Sequence, residues 1–346
     1  MSAEQNGQDR EREEPVQRNA VLGQIAQPAQ SGQKAPLAGR VRVMKFGGSV
    51  LTSAASILAA AGQAVRDAEF DRVVVVVSAL GGVTDRLYSV TRALRMRDTS
   101  TAIAEAEEIS QLHTRIGGQL LAGDQQEFQL RLELAELAHA LDLVVRHAGH
   151  GESPVEMTDD VVSFGERMSA RIFAAALRVL GVHAEALDAF EFIVTDGDRE
   201  DPHARLDESC RKTRETLEPF FLLATLPVVT GFVAATPDGR ITTLGRNSSD
   251  YSAAIVACAL GAHDLTIWSS VDGFFDTDPK LNPDAQWHAR LSYEQALELS
   301  RNGARVVHPK AFHFLMQERI PLLVRNAARP DAPGTWVGDA GSGGAR

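Results

Sequence analysis

The chain has 346 residues, 44% hydrophobic and 23% charged, with 28 Gly, 14 Pro and two Cys. This composition excludes collagen-like, mostly disordered and disulfide-stapled architectures. The 35 Lys and Arg against 46 Asp and Glu leave a formal charge of -11, which argues against a phosphate-backbone footprint, so nucleic acid is not an expected partner. No apolar run reaches the about 18 to 20 residues needed to cross a bilayer, and no membrane association is expected. The first residues, MSAEQNGQDREREEPVQ, lack the basic start, apolar run and cleavage site of a secretory signal. Cys210 and Cys258 have neither CxxC spacing nor a nearby His at ligand spacing, so they read as reduced packing thiols of a cytoplasmic protein.

Residues 1–40 are rich in Gln, Glu, Ala and Gly, show neither apolar period, and read as a disordered tail with one short apolar cluster at Val21, Leu22 and Ile25. From Val41 the texture changes. VRVMKF and RVVVVVSAL are continuous apolar runs of the kind buried on both faces of a parallel sheet. Between them Ser53 to Asp67 carries apolar residues at helical spacing, completing a βαβ unit. Thr84 to His147 is helical in period with almost no strand signal. Strand-like runs return at Ala184 to Leu187, Thr225 to Val233, Asp264 to Ser269 and Pro321 to Val324. Helical segments separate them at Asp160 to Leu180, Asp207 to Phe220, Ser249 to Leu260, Tyr293 to Ser300 and Pro309 to Gln317. Such alternation predicts an α/β fold, a three-layer αβα sandwich with a largely parallel open sheet. One domain is expected over residues 41–338, with a flexible end at 339–346.

In an open α/β sheet, ligands collect beyond the carboxyl ends of the strands, so the loops after those strands hold the candidate chemistry. Lys45-Phe46-Gly47-Gly48-Ser49 follows the first strand. Its two glycines allow close approach of main-chain N–H groups to a phosphate, and the lysine adds a point charge. The lysine precedes the glycines and GxxxxGK[ST] is absent, so this is not a Walker A loop; a structural turn with a solvated lysine is the competing reading. Ser78 to Thr84 places two hydroxyls around glycines after the second buried strand, where they bind a polar ligand or cap the following helix. Glu166, in Ser163-Phe164-Gly165-Glu166, is a carboxylate on a helix, by default a solvated charge. Thr242 to Ala253 is a dense polar loop opening a small-residue helix, with Asp250 in the first turn. Trp268 to Lys280 and Gly303 to Pro309 complete the set. No metal cluster, GxSxG elbow or Cys/His pairing is seen.

In this order, KFGGS, VVSALGGVTD, SFGER, TTLGRNSSD, IWSSVDGFFDTDP and GARVVHP resemble the catalytic domain of the aspartokinases, in the amino acid kinase superfamily, over about Val41 to Val337. The resemblance implies transfer of the ATP γ-phosphoryl group to the side-chain carboxylate of L-aspartate, giving 4-phospho-L-aspartate, with Mg²⁺ arriving on ATP and a homodimer as the assembly. It implies that Lys45 and Asp250 are catalytic and that Ser49, Ser78, Thr84, Glu166, Arg199 and Arg246 hold the amino acid, with Glu166 suited to the ammonium. Nucleotide contacts would come from Lys45, Gly47, Gly48, Ser269, Ser270, Phe275, Lys280 and Arg305. Several positions depart from the family pattern: Asn247 and Ser248 replace the two glycines of GRGGSD, Ser269-Ser270 replaces Thr-Asp, and Phe275, Lys280 and Arg305 replace Tyr, Arg and Lys. Aspartokinases typically continue into paired ACT regulatory domains; this chain is expected to lack them and so to escape feedback inhibition through its own chain. Two further readings stand beside the first, a kinase of another small amino acid or carboxylate and a non-catalytic pseudokinase subunit.

Overall fold

The computed structural model describes residues 39–121, 126–149, 157–277, 282, 284–304 and 306–339. Apart from residues 39, 40 and 339, the expected tail and carboxy-terminal end lie outside the described residues.

Apolar, β-branched strands dictate the centre of the molecule. β1 (Val41–Phe46) and β2 (Arg72–Val77) pair in parallel, with Lys45 opposite Val76, and β1 pairs on its other side with β7 (Asp264–Ser269), Lys45 opposite Ile267. The sheet continues through β4 (Leu226–Thr230) and the edge strand β3 (Ala184–Leu187) on one side. On the other side lie β11 (Leu322–Asn326), β12 (Thr335–Val337) and β10 (Arg290–Leu291). Among the eight strands only the β11–β12 pairing is antiparallel. The period of two sends alternate side chains to opposite faces. Met44, Phe46, Val75 and Val77 face one hydrophobic core, while Val41, Val43, Val74 and Val76 face the other.

The first core is covered by α1 (Ala54–Ala68), α2 (Val83–Arg95), α3 (Thr99–Leu121), α4 (Glu127–Gly149) and α5 (Thr158–Val179). The second is covered by α6 (Leu206–Leu222), α7 (Ser249–Ala259), α8 (Tyr293–Leu299) and α9 (Pro309–Gln317). The expected three-layer αβα sandwich with a largely parallel sheet is what forms. The long helical stretch after the second strand resolves into α2, α3 and α4.

One expected strand is split. The apolar run from Thr225 to Val233 breaks at Gly231 and Phe232, giving β4 and a short β5 (Val233–Ala235) that pairs with β6 (Ile241–Thr243) in a separate hairpin. A Cβ at Gly231 would lie 2.6 Å from Ser249 Cβ, so the chain turns where the start of α7 crosses it. Phe232 takes φ +67° and donates its N–H to Ser252 Oγ at 2.8 Å. A buried aromatic residue held in this left-handed region costs about 1–2 kcal/mol, offset here by burial of the ring.

Gly165 on α5 has a similar constraint, because a Cβ there would lie 2.9 Å from Ala79 Cβ and 3.0 Å from Leu87 Cδ1. Replacing Gly165 with Val is expected to destabilise the fold by about 1–3 kcal/mol through overpacking. Urea unfolding checks this: an unchanged midpoint would show that α5 has room to move away from α2.

Candidate active site

The register of β1 decides where Lys45 points. Alternating with Met44 and Phe46, it shares the face of Val43 and so aims at α7. There Lys45 Nζ lies 2.7 Å from Asp250 Oδ1, both side chains almost wholly buried. The other oxygen of Asp250 accepts the main-chain N–H of His308 at 3.0 Å. His308 caps α9, its Nδ1 accepting the N–H of Lys310 at 3.2 Å. Burial holds the imidazole pKa below its usual value, against the pull of Asp250. Lys45 is therefore not the solvated turn lysine of the competing reading. It is a buried cation held by a carboxylate in the first turn of α7.

Lys45 and Asp250 sit in a cleft of about 500 Å³ at the carboxyl ends of β1, β2 and β7. Gly47, Gly48, Ser49, Ser78, Thr84, Glu166, Arg246 and Ser269 also line it, so five segments distant in sequence supply one cavity. Gly48 has to be glycine, since a Cβ would lie 2.9 Å from the Ala79 carbonyl oxygen. Gly47 donates its N–H to the Trp268 carbonyl at 3.2 Å, whereas among the described residues the N–H groups of Gly48 and Ser49 make no main-chain hydrogen bond. The latter two are the amides available to an anion.

Glu166 departs furthest from its default reading. It is 2% exposed, pressed in by α5 beside Gly165. A main-chain hydrogen bond from Ala79 reaches its carboxyl group, but Oε2 is buried with no hydrogen-bond partner. Burial, opposed by the hydrogen bonds and by Lys45, pushes its pKa up to about 8. A buried carboxylate with a vacant acceptor atom in a cleft is suited to a ligand cation.

Arg246 stands at the mouth of the cleft. It forms an ion pair with Asp85 in the first turn of α2, and its guanidinium carbon lies 4.5 Å from the centre of the Tyr88 ring. Next to it Asn247 takes φ +62°, a conformation Asn accepts with little strain; the departure from glycine there keeps the backbone turn and adds an amide side chain to the cleft wall. Ser248 is buried, its hydroxyl without a partner.

The remaining expected residues are dispersed. Arg199 is exposed on the loop after Thr195 and does not line the cleft; its charge acts on Asp159, which accepts hydrogen bonds from Thr242 and Thr243. Ser270 and Phe275 also lie off the lining, Phe275 in a two-residue strand β8 (Phe274–Phe275) paired with β9 (Trp287–His288). Lys280 and Arg305 fall outside the described residues. Thr84 does not cap α2, whose N-cap is Gly82 at φ +80°, so its side chain is left to the cleft. Two contributors escaped sequence reasoning. Asp85 carried only the signal of an acidic residue in a first turn, and the His308 main-chain N–H carried none. Among the described residues no group of three His, Cys, Asp or Glu side chains is arranged to hold a metal ion.

Comparisons with known proteins bear on this geometry. The model of the amino acid kinase family matches residues 40–326. The bifunctional aspartokinase/homoserine dehydrogenase 1 of Zea mays is 34% identical over 300 residues, covering 85% of this chain and 32% of that protein. Aspartokinase 3 of Arabidopsis thaliana is 33% identical over 303 residues, covering 85% of this chain and 52% of that one. The chain thus spans 32% to 52% of the length of these relatives. The crystal structure of E. coli aspartokinase III in complex with aspartate and ADP superposes with a TM-score of 0.77 at 29% identity, over 86% of this chain and 64% of that one. A match over most of the chain shows that this chain belongs to the amino acid kinase family and carries an aspartokinase-like catalytic domain.

Proposed function

We propose that the protein transfers the γ-phosphoryl group of ATP to the side-chain carboxylate of L-aspartate. The observation that carries this reading is the cleft itself, which joins a buried Lys45–Asp250 pair, two main-chain amides without main-chain partners, a buried Glu166 with a vacant oxygen and a rim arginine. A side-chain carboxylate is ionised and nucleophilic at neutral pH, so the reaction needs no general base. Its oxygen attacks the γ-phosphorus, the bond to the β-phosphate oxygen breaks, and ADP leaves with the electron pair. Catalysis reduces to alignment and charge stabilisation. Lys45, fixed by Asp250, meets the charge that builds on the transferring group. The amides of Gly48 and Ser49 orient the phosphates, with Ser269 on the nucleotide side. Arg246 takes the α-carboxylate and Glu166 the ammonium, with Ser49, Ser78 and Thr84 as hydroxyl contacts. Ser270, Phe275, Lys280 and Arg305 are assigned to the nucleotide on resemblance alone, as is Arg199 to the acceptor.

Mg²⁺ fits this chemistry as an ion carried by the nucleotide, because it favours one or two carboxylates plus phosphate oxygens. Of the carboxylates on the cleft lining, Asp250 is the one beside Lys45, and it would hold the ion by sharing an oxygen already engaged with Lys45 or the His308 N–H; the ion would supply neutralisation of phosphate charge. The same reading expects a cytoplasmic homodimer.

Acyl phosphate formation, trapped as a hydroxamate with ATP and Mg²⁺, is expected with L-aspartate and only weakly with succinate, which lacks the ammonium for Glu166. Equal signals from the two acceptors would remove Glu166 from its role. Signal from another amino acid alone would point to the Asn247 side chain as the selector. Absence of signal with every acceptor, together with absence of ATP binding, would favour the non-catalytic reading.

Substituting Lys45 by Ala is expected to lower kcat by about 10²–10³-fold, the cost of removing one stabiliser of developing charge. The melting temperature should fall too, because Asp250 loses its buried counter-charge. A higher KM at unchanged kcat would assign Lys45 to substrate binding alone.

Burial pushes the Glu166 pKa up to about 8, so the side chain is expected to carry its proton at pH 7, and an ammonium partner demands the charged form. Acceptor binding at pH 7 should therefore release protons, and affinity should rise from pH 6 to pH 8. Calorimetry in buffers of different ionisation enthalpy reads the release directly. The Glu166→Gln variant should bind more weakly and show no such pH dependence, and retention of the wild-type dependence would place the proton elsewhere.

A further inference from the structure

Arg246 already has a partner. Asp85 faces it across the cleft mouth, 161 residues away in sequence, and the two are joined as an ion pair. Tyr88, one turn further along α2, lies beneath the guanidinium at 4.5 Å. Both charged side chains remain accessible, 54% exposed for Arg246 and 77% for Asp85, and both line the cleft. Asp85 is held from below by nothing comparable: of its side-chain atoms, the carboxylate makes this one ion pair among the described residues. The Tyr88 ring gives the guanidinium a cation–π contact that does not depend on Asp85, so Arg246 retains one anchor when the carboxylate leaves.

A carboxylate seated on the arginine assigned to the acceptor's carboxylate is a competitor for it. Resting on the reading above, we propose that Asp85 occupies the α-carboxylate seat on Arg246, and that the acceptor amino acid binds by displacing it. Asp85 is then a specificity-determining residue of a stated kind. It sets a threshold that only an acceptor with a carboxylate in the right place overcomes, and it keeps a solitary cation at the mouth from collecting inorganic anions.

The energetic scale follows from exposure. An exposed pair contributes little, up to about 1 kcal/mol, equivalent to about fivefold in an equilibrium constant. Salt screens both the internal pair and the pair with acceptor. In the wild type the two effects oppose each other, and in a variant without the competing charge only the second remains.

The test compares the wild type with the Asp85→Asn and Asp85→Ala variants at saturating ATP and Mg²⁺, using L-aspartate. Both variants are expected to show an acceptor KM lower by about two- to fivefold, and calorimetric affinity for L-aspartate without nucleotide should rise by the same factor. Raising the ionic strength should increase the variants' KM more steeply than that of the wild type. An unchanged or higher KM in both variants, with salt dependence equal to that of the wild type, overturns the proposal and makes Asp85 a support for Arg246. Wild-type turnover of L-aspartate in the same assay separates that failure from failure of the aspartate kinase reading, under which the wild type itself is inactive and both ideas fall.

Discussion

A lysine in the central strand of a parallel sheet is a physical problem. β1 is flanked on both sides by apolar strands, and an ammonium buried among them costs several kcal/mol unless it is paired. Asp250 supplies the pair at 2.7 Å, and much of the local architecture follows from placing it there. The start of α7 has to lie against the carboxyl end of β1. Gly231 has to be without a side chain where Ser249 crosses it, and Phe232 has to turn into the left-handed region. The second oxygen of Asp250 takes the main-chain N–H of His308, which ties the start of α9 to the same point. Removing either charge would leave the other buried without compensation.

Three carboxylates around one cleft show how environment divides a single chemical group into different roles. Asp250 is buried and matched by a cation. Glu166 is buried without a matching cation, one oxygen empty and its proton retained near neutrality. Asp85 is exposed at the rim, where water screens it and its partner can leave it. Two of the three are buried and the third is exposed at the rim.

The departures from the family pattern fall into two groups. Asn247 takes the positive φ that glycine would supply and lines the cleft, so it adds a side chain to the wall. Ser270 and Phe275 stand away from the lining, so the loss of polar atoms there leaves the Lys45–Asp250 core untouched. The buried Lys45–Asp250 pair is thus kept while residues around it differ from the family pattern.

The sequence by itself determined the layers, the parallel sheet and the loops that meet in the cleft, because apolar period and glycine placement are local properties of the chain. The continuous Val run at β2 and the apolar residues of VRVMKF at β1 declared strands buried on both faces, and the Gly47–Gly48 turn declared a backbone approach. The break at Gly231 was not legible, since Thr225 to Val233 is apolar throughout and the reason for turning lies in Ser249, 18 positions away. Only tertiary structure decided that Glu166 is buried, because helical spacing does not say what packs against a helix face. It alone decided that Lys45 has a partner and that Asp85 covers Arg246. Charge–charge distances depend on where separate strands and helices come to rest, and a linear pattern records only which residues are available to meet.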